Sequence, residues 1–248
     1  MSRASVLLSV LLVGAVGVPS ASASYTFNYG NINANTVVYQ QVTESTATDD
    51  TWLFGTPSVS GDSLTFSPAN FGISAVNGGF DYMDGQLTTS LVSLGDNRIE
   101  KLEFTERGDW TLGGTGTAGT NVSVANTLFV RVTDIDGGAI DPITLTVPMT
   151  FTPNGGAYNL IDNRGQNLVW QGSTIVDVDA LVATVYPGKQ ATKVDITFDN
   201  SLMAFSESGT IAYIKKKQIE GLTITAITPE PASLGLLMLG GLLLRRRR

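Results

Sequence analysis

Between residues 24 and 228 apolar and polar side chains alternate with a period of two, the spacing of a β-strand with one buried face. The clearest run is Ile143 to Phe151. Ile143, Leu145, Val147, Met149 and Phe151 share one side, and Thr144, Thr146, Pro148 and Thr150 the other. Pro148 has no amide proton to give to a ladder, so this segment is expected at a sheet edge or at a bulge. Leu128, Val130 and Val132 form a second set, Val194, Ile196 and Phe198 a third, and Leu222, Ile224 and Ala226 a fourth. A short β-like core at Val37 to Val42 is read as the first strand. No amphipathic helix of convincing length interrupts the pattern.

Turn chemistry separates these runs. Ser60-Gly61-Asp62, Asn77-Gly78-Gly79, Asp84-Gly85, Gly95-Asp96-Asn97, Asp136-Gly137-Gly138, Asn154-Gly155-Gly156 and Pro187-Gly188 tolerate positive φ or preset a reversal. About a dozen strands at roughly 8 to 12 residue spacing are expected of a sandwich or barrel. The reading is an all-β domain, a single antiparallel β-sandwich of jelly-roll-like or Greek-key type. A closed barrel fits the same pattern. Gly113 to Gly119 is a low-complexity loop; it lacks the Gly-Lys-Ser/Thr ending of a phosphate cradle.

The two ends depart from this pattern. Met1 to Ala23 carries Arg3, an apolar stretch from Val6 to Val18, and then Pro19-Ser20-Ala21-Ser22-Ala23. Ala21 and Ala23 supply the small residues that signal peptidase requires, which predicts cleavage before Ser24. At the other end Pro229-Glu230-Pro231 is followed by an uncharged run from Ala232 to Leu244 and by Arg245, Arg246, Arg247 and Arg248. As a helix that run would span roughly 20 Å, short of the ~30 Å hydrocarbon core of a bilayer. The arginines would stay on the cytoplasmic side and leave everything upstream outside. Residues 1–23, 24–228 and 229–248 therefore read as signal peptide, β-sandwich domain, and sorting and anchor segment.

The tail resembles the PEP-CTERM sorting signal, a bacterial C-terminal element made of Pro-Glu-Pro, a short apolar helix and a basic end. The likeness covers Pro229 to Arg248 only. It implies processing by an exosortase, transient membrane anchoring by the C-terminal helix, and delivery to the cell envelope, cell surface or extracellular matrix of a Gram-negative-type bacterium. It implies nothing about the domain in front.

Composition narrows the chemistry of that domain. There is no cysteine and no histidine, which removes disulfides, thiol nucleophiles, Ser-His-Asp triads and the usual zinc sites. The whole chain carries a formal charge of −7, from 15 basic and 22 acidic side chains. Without Arg3, Glu230 and Arg245 to Arg248, residues 24–228 keep 10 basic and 21 acidic groups, a net −11. Such a surface repels nucleic acid and anionic lipid, so neutral polymers and cations are the better partners.

Three constellations could carry chemistry. Asp134, Asp136 and Asp141 in DIDGGAID offer closely spaced oxygens for calcium, although the EF-hand pattern is missing; the same residues suit a hairpin turn flanked by solvated acids. Asp177 and Asp179, on one strand face, could add ligands. Glu100, Glu103, Glu106 and Asp109 lie close together, with Asp84 or Asp195 as opposing acids, as glycoside hydrolysis would need; ion pairs with Lys101 and Arg107 are the plainer expectation. Tyr82, set in a Gly-rich loop from Gly78 to Gly85, and Trp110 and Trp170, each beside a polar neighbour, could stack on a sugar; the competing place for each Trp is the core. Lys215, Lys216 and Lys217 read as a charged turn or a guarded sheet edge. The function expected from all this is a non-catalytic structural or adhesive domain, with no cofactor beyond a candidate calcium. A carbohydrate-binding module for exopolysaccharide, calcium-assisted or not, is the alternative, and a carboxylate-based glycoside hydrolase comes third.

Overall fold

The computed structural model describes residues 25–217 and 221–228. The signal cleavage residues Ala21 and Ala23 and the whole Pro229 to Arg248 tail lie outside them. In chain order the strands are β1 (Tyr25–Asn33), β2 (Val37–Thr46), β3 (Ser58–Ser60), β4 (Ser63–Phe66), β5 (Gly72–Val76), β6 (Phe80–Ser93), β7 (Lys101–Gly114), β8 (Asn121–Ile135), β9 (Gly138–Pro148), β10 (Thr150–Thr152), β11 (Ala157–Asn159), β12 (Gly165–Asp177), β13 (Ala191–Phe205), β14 (Thr210–Lys216) and β15 (Leu222–Ile227). Among the described residues one α-helix, α1 (Val178–Ala183), joins β12 toward β13, and a single 3-10 turn at Asn154–Gly156 lies between β10 and β11. Among the described residues no helix is long and apolar enough to cross a membrane.

The strands form two antiparallel sheets that face each other. The first runs β1-β2-β6-β13-β8-β11, with β9 also on β8; the second runs β10-β12-β7-β15-β4-β3, with β14 between β7 and β5. Alternation decides which residues meet between them. Leu87 and Leu91 of β6, Leu128, Val130 and Val132 of β8, and Val194, Ile196, Phe198 and Leu202 of β13 are buried against Leu102, Phe104 and Leu112 of β7 and Ile214, Leu222 and Ile224. Phe104 and Phe198 stack across the core at 5.9 Å. The architecture is thus the antiparallel sandwich that the period-two pattern called for. Pro148 ends the edge strand β9, and the chain then crosses at Met149 into the second sheet, where β10 pairs with β12.

β7 is the axis of the second sheet. β12 pairs with it from Lys101 to Leu112. Its other edge is shared: β15 covers Lys101 to Glu106 and β14 covers Gly108 to Gly114. At the seam Lys217 donates its amide to Arg107 O at 2.9 Å, and Arg107 donates to Gly221 O at 3.2 Å. β4 and β5 divide in the same way, on β15 and β14 respectively.

Several local readings change. The first strand is Tyr25–Asn33, which hairpins onto Val37–Thr46; Tyr25, Phe27 and Tyr29 alternate with polar residues there, but the alternation breaks at Gly30-Asn31 and none of its residues is fully buried. Asp84-Gly85 is not a turn, and Tyr82 is not in a loop, because β6 already runs from Phe80. Gly85 is there for packing: a Cβ would lie 2.8 Å from Phe71 and 3.0 Å from Leu53. Asp177 and Asp179 do not share a strand face. Asp177 caps α1, accepting the Ala180 amide at 2.9 Å, and Asp179 sits in its first turn. Lys216 is no edge guard, since it is 1% exposed and points between the sheets.

The Gly113–Gly119 segment is ordered by a group distant in sequence. Glu207 accepts hydrogen bonds from Thr117 N and Oγ1, both at 2.7 Å, and from Thr120 N and Oγ1 at 3.2 and 3.1 Å. These bonds, those to Thr117 foremost, hold its carboxyl below the ordinary 4.5. A depressed folded pKa stabilises the loop fully above the unfolded value and ceases to do so as pH falls through the folded one. The Thr117 amide resonance is accordingly expected to titrate with a midpoint below 4.5 and to be pH-insensitive in Glu207→Gln. A midpoint at or above 4.5 would contradict this.

Candidate functional site

The outward face of the first sheet is a continuous, mostly polar surface built across five strands. Its rungs follow from register. Gln40, Ser90, Asp195, Arg131 and Thr144 stand side by side across β2, β6, β13, β8 and β9. The next rung is Thr43, Thr88, Thr197, Phe129 and Thr146, and the next Ser45, Gln86, Asp199, Thr127 and Pro148. All of these lie on the polar half of the alternation. Thr is common here because a β-branched side chain suits the pleat while its hydroxyl remains available.

Two depressions lie on this face, one on each side of β13, and share Asp195 and Thr197. The first, about 390 Å³, is bordered by Phe129, Arg131, Thr144 and Thr146. The second, about 190 Å³, is bordered by Gln40, Gln41, Thr88 and Ser90. Asp195 is held between them by a 2.6 Å hydrogen bond from Ser90 Oγ. Phe129 is 44% exposed.

Toward the start of β6 the same face becomes aromatic. Phe80 pairs with Phe205, and Tyr82 with Met203. All four are exposed, Phe80 to 63%. Asp84 and Asp199 follow, diagonal across β6 and β13. Burial raises the Asp199 carboxyl above the usual range, and the Asp84 charge adds to the effect. Burial, then the charges of Asp84 and Asp199, raise the Tyr82 phenol in the same way. From the Phe80–Phe205 pair to the Val92–Lys193 pair the stripe extends about 40 Å, at ~3.4 Å per residue.

The residues singled out in the sequence are distributed differently. Tyr82 is on this face. Trp110 and Trp170 are not platforms: they are 3% and 0% exposed, because both alternate toward the core. Trp110 stacks on Tyr158 at 3.8 Å and donates to Asn163 O at 3.0 Å. Asp136 and Gly137 form the two-residue β8–β9 turn with φ of 47° and 80°. Asp136 pairs with Lys189 at 3.0 Å and accepts the Gln190 amide. Asp134 and Asp136 border a depression that also has Asp96, Arg98 and Lys193 on its wall, and Asp141 is not part of it. Among the described residues no three His, Cys, Asp or Glu side chains are placed to hold a metal ion.

Nor do the Glu100 to Asp109 carboxylates form a pair. Glu106 points inward onto Lys216, and Asp109 is buried against Lys217 at 2.6 Å, while Lys101 pairs with Asp177 at 3.5 Å. Lys216 at the end of β14 and Lys217 just after it bring to Glu106 and Asp109 two cations that local spacing did not suggest. The sequence did not point to Phe80, Phe129, Phe205, Met203 or Arg131. An apolar residue on the polar half of an alternation was the available signal, and Phe129, between Leu128 and Val130, showed it.

No family model matches the chain, and no curated protein sequence matches it. Among solved structures it is similar to the enzymatically active domain of tailspike protein 4 of bacteriophage CBA120, with 16% identity and a TM-score of 0.22 over 84% of this chain. The chain spans 20% of that protein's length. TmCBM61 in complex with β-1,4-galactotriose is similar over 66% of this chain and 75% of its own, with 10% identity and a TM-score of 0.22. Endoglucanase 3 of Trichoderma harzianum, from family GH12, is similar over 83% and 97%, with 11% identity and a TM-score of 0.21. The fold assignment rests on the strand pairing described above rather than on these scores.

Proposed function

We propose that the protein is an exported, non-catalytic β-sandwich of the cell surface or extracellular matrix, and that the outward face of its first sheet holds an extended, predominantly neutral polysaccharide. The carrying observation is the continuity of that face. Exposed Phe80, Phe205 and Tyr82 lead directly into rungs of Thr, Ser, Gln and Asp. A sugar offers an apolar ring face and a rim of hydroxyls. Aromatic rings cover the first, and the hydroxyl, amide and carboxylate groups of the rungs pair with the second. Most of these side chains stand on neighbouring strands and need little reordering to bind, which limits the entropic cost. Export is supported by the two terminal segments, and the tail's likeness to the PEP-CTERM signal supports exosortase handling.

The test is affinity electrophoresis of the full chain in a panel of neutral and acidic polysaccharides. Retardation is expected in at least one neutral polymer and is expected to weaken about tenfold in Phe80→Ala/Phe205→Ala, the loss of ~1.4 kcal/mol. No retardation in any polymer overturns the binding. Finding the domain folded in the cytosol with both ends intact overturns the export. Release of reducing ends that stops in Asp84→Asn or Asp199→Asn would replace this reading with a hydrolytic one.

A further inference from the structure

Lys216, Glu106 and Asn200 meet in the middle of the sandwich. Lys216 is the last residue of β14 and Glu106 belongs to the adjacent β7; Asn200 comes from β13 in the opposite sheet. None of the three is more than 2% exposed. The Lys216 amine donates to Asn200 Oδ1 at 2.6 Å and to Glu106 Oε2. The rings of Phe71 and Trp170 lie over it at 5.0 and 5.6 Å.

As a simple ion pair this cluster is poorly served. Glu106 Oε1, Asn200 Nδ2, and both amide atoms of Asn126, the cross-strand neighbour of Asn200, are buried without partners. A buried pair ordinarily needs every remaining lone pair and proton satisfied to offset its desolvation. Burial also pushes the Glu106 carboxyl up and the Lys216 amine down, its largest effect on each, opposed by their mutual attraction. The neutral acid beside the neutral amine is the form that a dry site favours. A neutral amine is a nucleophile, and a carboxamide in contact with it is an electrophile.

The geometry points to an intramolecular amide bond between Lys216 Nζ and Asn200 Cγ, formed after folding, with Glu106 as the proton carrier. The Lys216 lone pair adds to Asn200 Cγ while the Glu106 acid protonates Oδ1. The resulting carboxylate takes a proton from the attacking nitrogen and passes it to Nδ2. The Cγ–Nδ2 bond then breaks, ammonia leaves, the carbonyl re-forms, and its proton returns to Glu106. One C–N bond replaces another, and no oxidant, metal or cofactor is consumed. Proximity in a rigid core supplies what the slow reaction lacks in water. The neighbouring Lys217–Asp109 pair does not qualify: the Lys217 side chain is 37% exposed and its partner is a carboxylate, not an amide. The bond would join the two sheets at their centre in a chain that has no cysteine to do so.

Mass spectrometry of the purified full chain tests this without any variant. Its mass, after terminal processing is assigned, is expected to be lower than the sequence requires by one ammonia. Trypsin should yield a branched peptide in which the 194–215 segment is attached through Asn200 to Lys216. Glu106→Gln and Lys216→Arg, with sandwich circular dichroism retained, should each show the full mass and linear peptides. The full sequence mass with free Lys216 in the parent chain overturns the proposal. A branch at Asn126 overturns the assignment to Asn200, and ammonia loss that persists in Glu106→Gln overturns the role of Glu106.

Discussion

Gly108→Ala is expected to destabilise the domain severely. Gly108 lies in β7 at the seam between β14 and β15, and a Cβ there would be 2.1 Å from Lys215 O and 2.2 Å from the indole of Trp170. Neither can yield. The carbonyl belongs to a strand paired with β7, and Trp170 is fully buried. Inserting a methyl into a packed core costs typically about 1–3 kcal/mol when side chains can adjust. Here two strands would have to part, so the loss should exceed about 3 kcal/mol, a large share of the ~5–15 kcal/mol that domains possess. Gly113→Ala is the control in the same strand: its Cβ would meet only the Ile211 side chain, at 3.3 Å. Urea unfolding followed by tryptophan fluorescence checks the pair. Equal midpoints for the Gly108 variant and the parent would refute the close approach.

Glu44→Ala should have the next largest effect. Glu44 is 2% exposed, and its carboxylate accepts the amides of Leu53 and Phe54 at 2.9 and 3.1 Å and the Tyr29 hydroxyl at 2.9 Å. It fastens the segment between β2 and β3 to the core, where Leu53 and Phe54 are buried. Alanine leaves two buried N–H groups unpaired at ~1–3 kcal/mol each, so a loss of about 3 kcal/mol is expected. Glu44→Gln keeps one acceptor oxygen and should lose less.

The pH dependence has a definite sign. Burial raises the Glu44 carboxyl above 4.5, and the hydrogen bonds it accepts oppose this only in part. The folded state therefore binds the proton more tightly than the unfolded chain does. The stability that this group contributes is fully present below 4.5 and declines as pH rises through the folded value. Urea midpoints should show that decline in the parent and not in Glu44→Gln. A parent that grows more stable relative to Glu44→Gln across this window would reverse the assignment.

The strand pattern was legible wherever a strand has one apolar and one polar face. β8, β9, β13 and β15 were readable for that reason; in β1 the alternation of Tyr25, Phe27 and Tyr29 is short and breaks at Gly30-Asn31, and no residue of that strand is fully buried. The turn residues identified the β3–β4, β5–β6 and β8–β9 reversals, but Asp84-Gly85 carried the same local signal for a different cause, the approach of Phe71 and Leu53. The candidate sites fared less well. Trp110 and Trp170 each have a polar neighbour in sequence, yet in a strand adjacent residues point to opposite faces, so the neighbour says nothing about the ring's surroundings. The aromatic end of the outward face depends on Phe80 meeting Phe205, residues 125 positions apart, and no local pattern contains that pairing.

Alternation, turn chemistry and the absence of cysteine and histidine determined by themselves an all-β domain, sandwich or barrel, that must hold together without disulfides or imidazole chemistry. These are consequences of each residue and its near neighbours. Only the tertiary structure decided that a lysine in a run of three turns inward onto Glu106 and Asn200, and that threonines from five strands make one surface. Burial and cross-strand register are set by which segments pair across the sheets, and that information is spread over the whole chain.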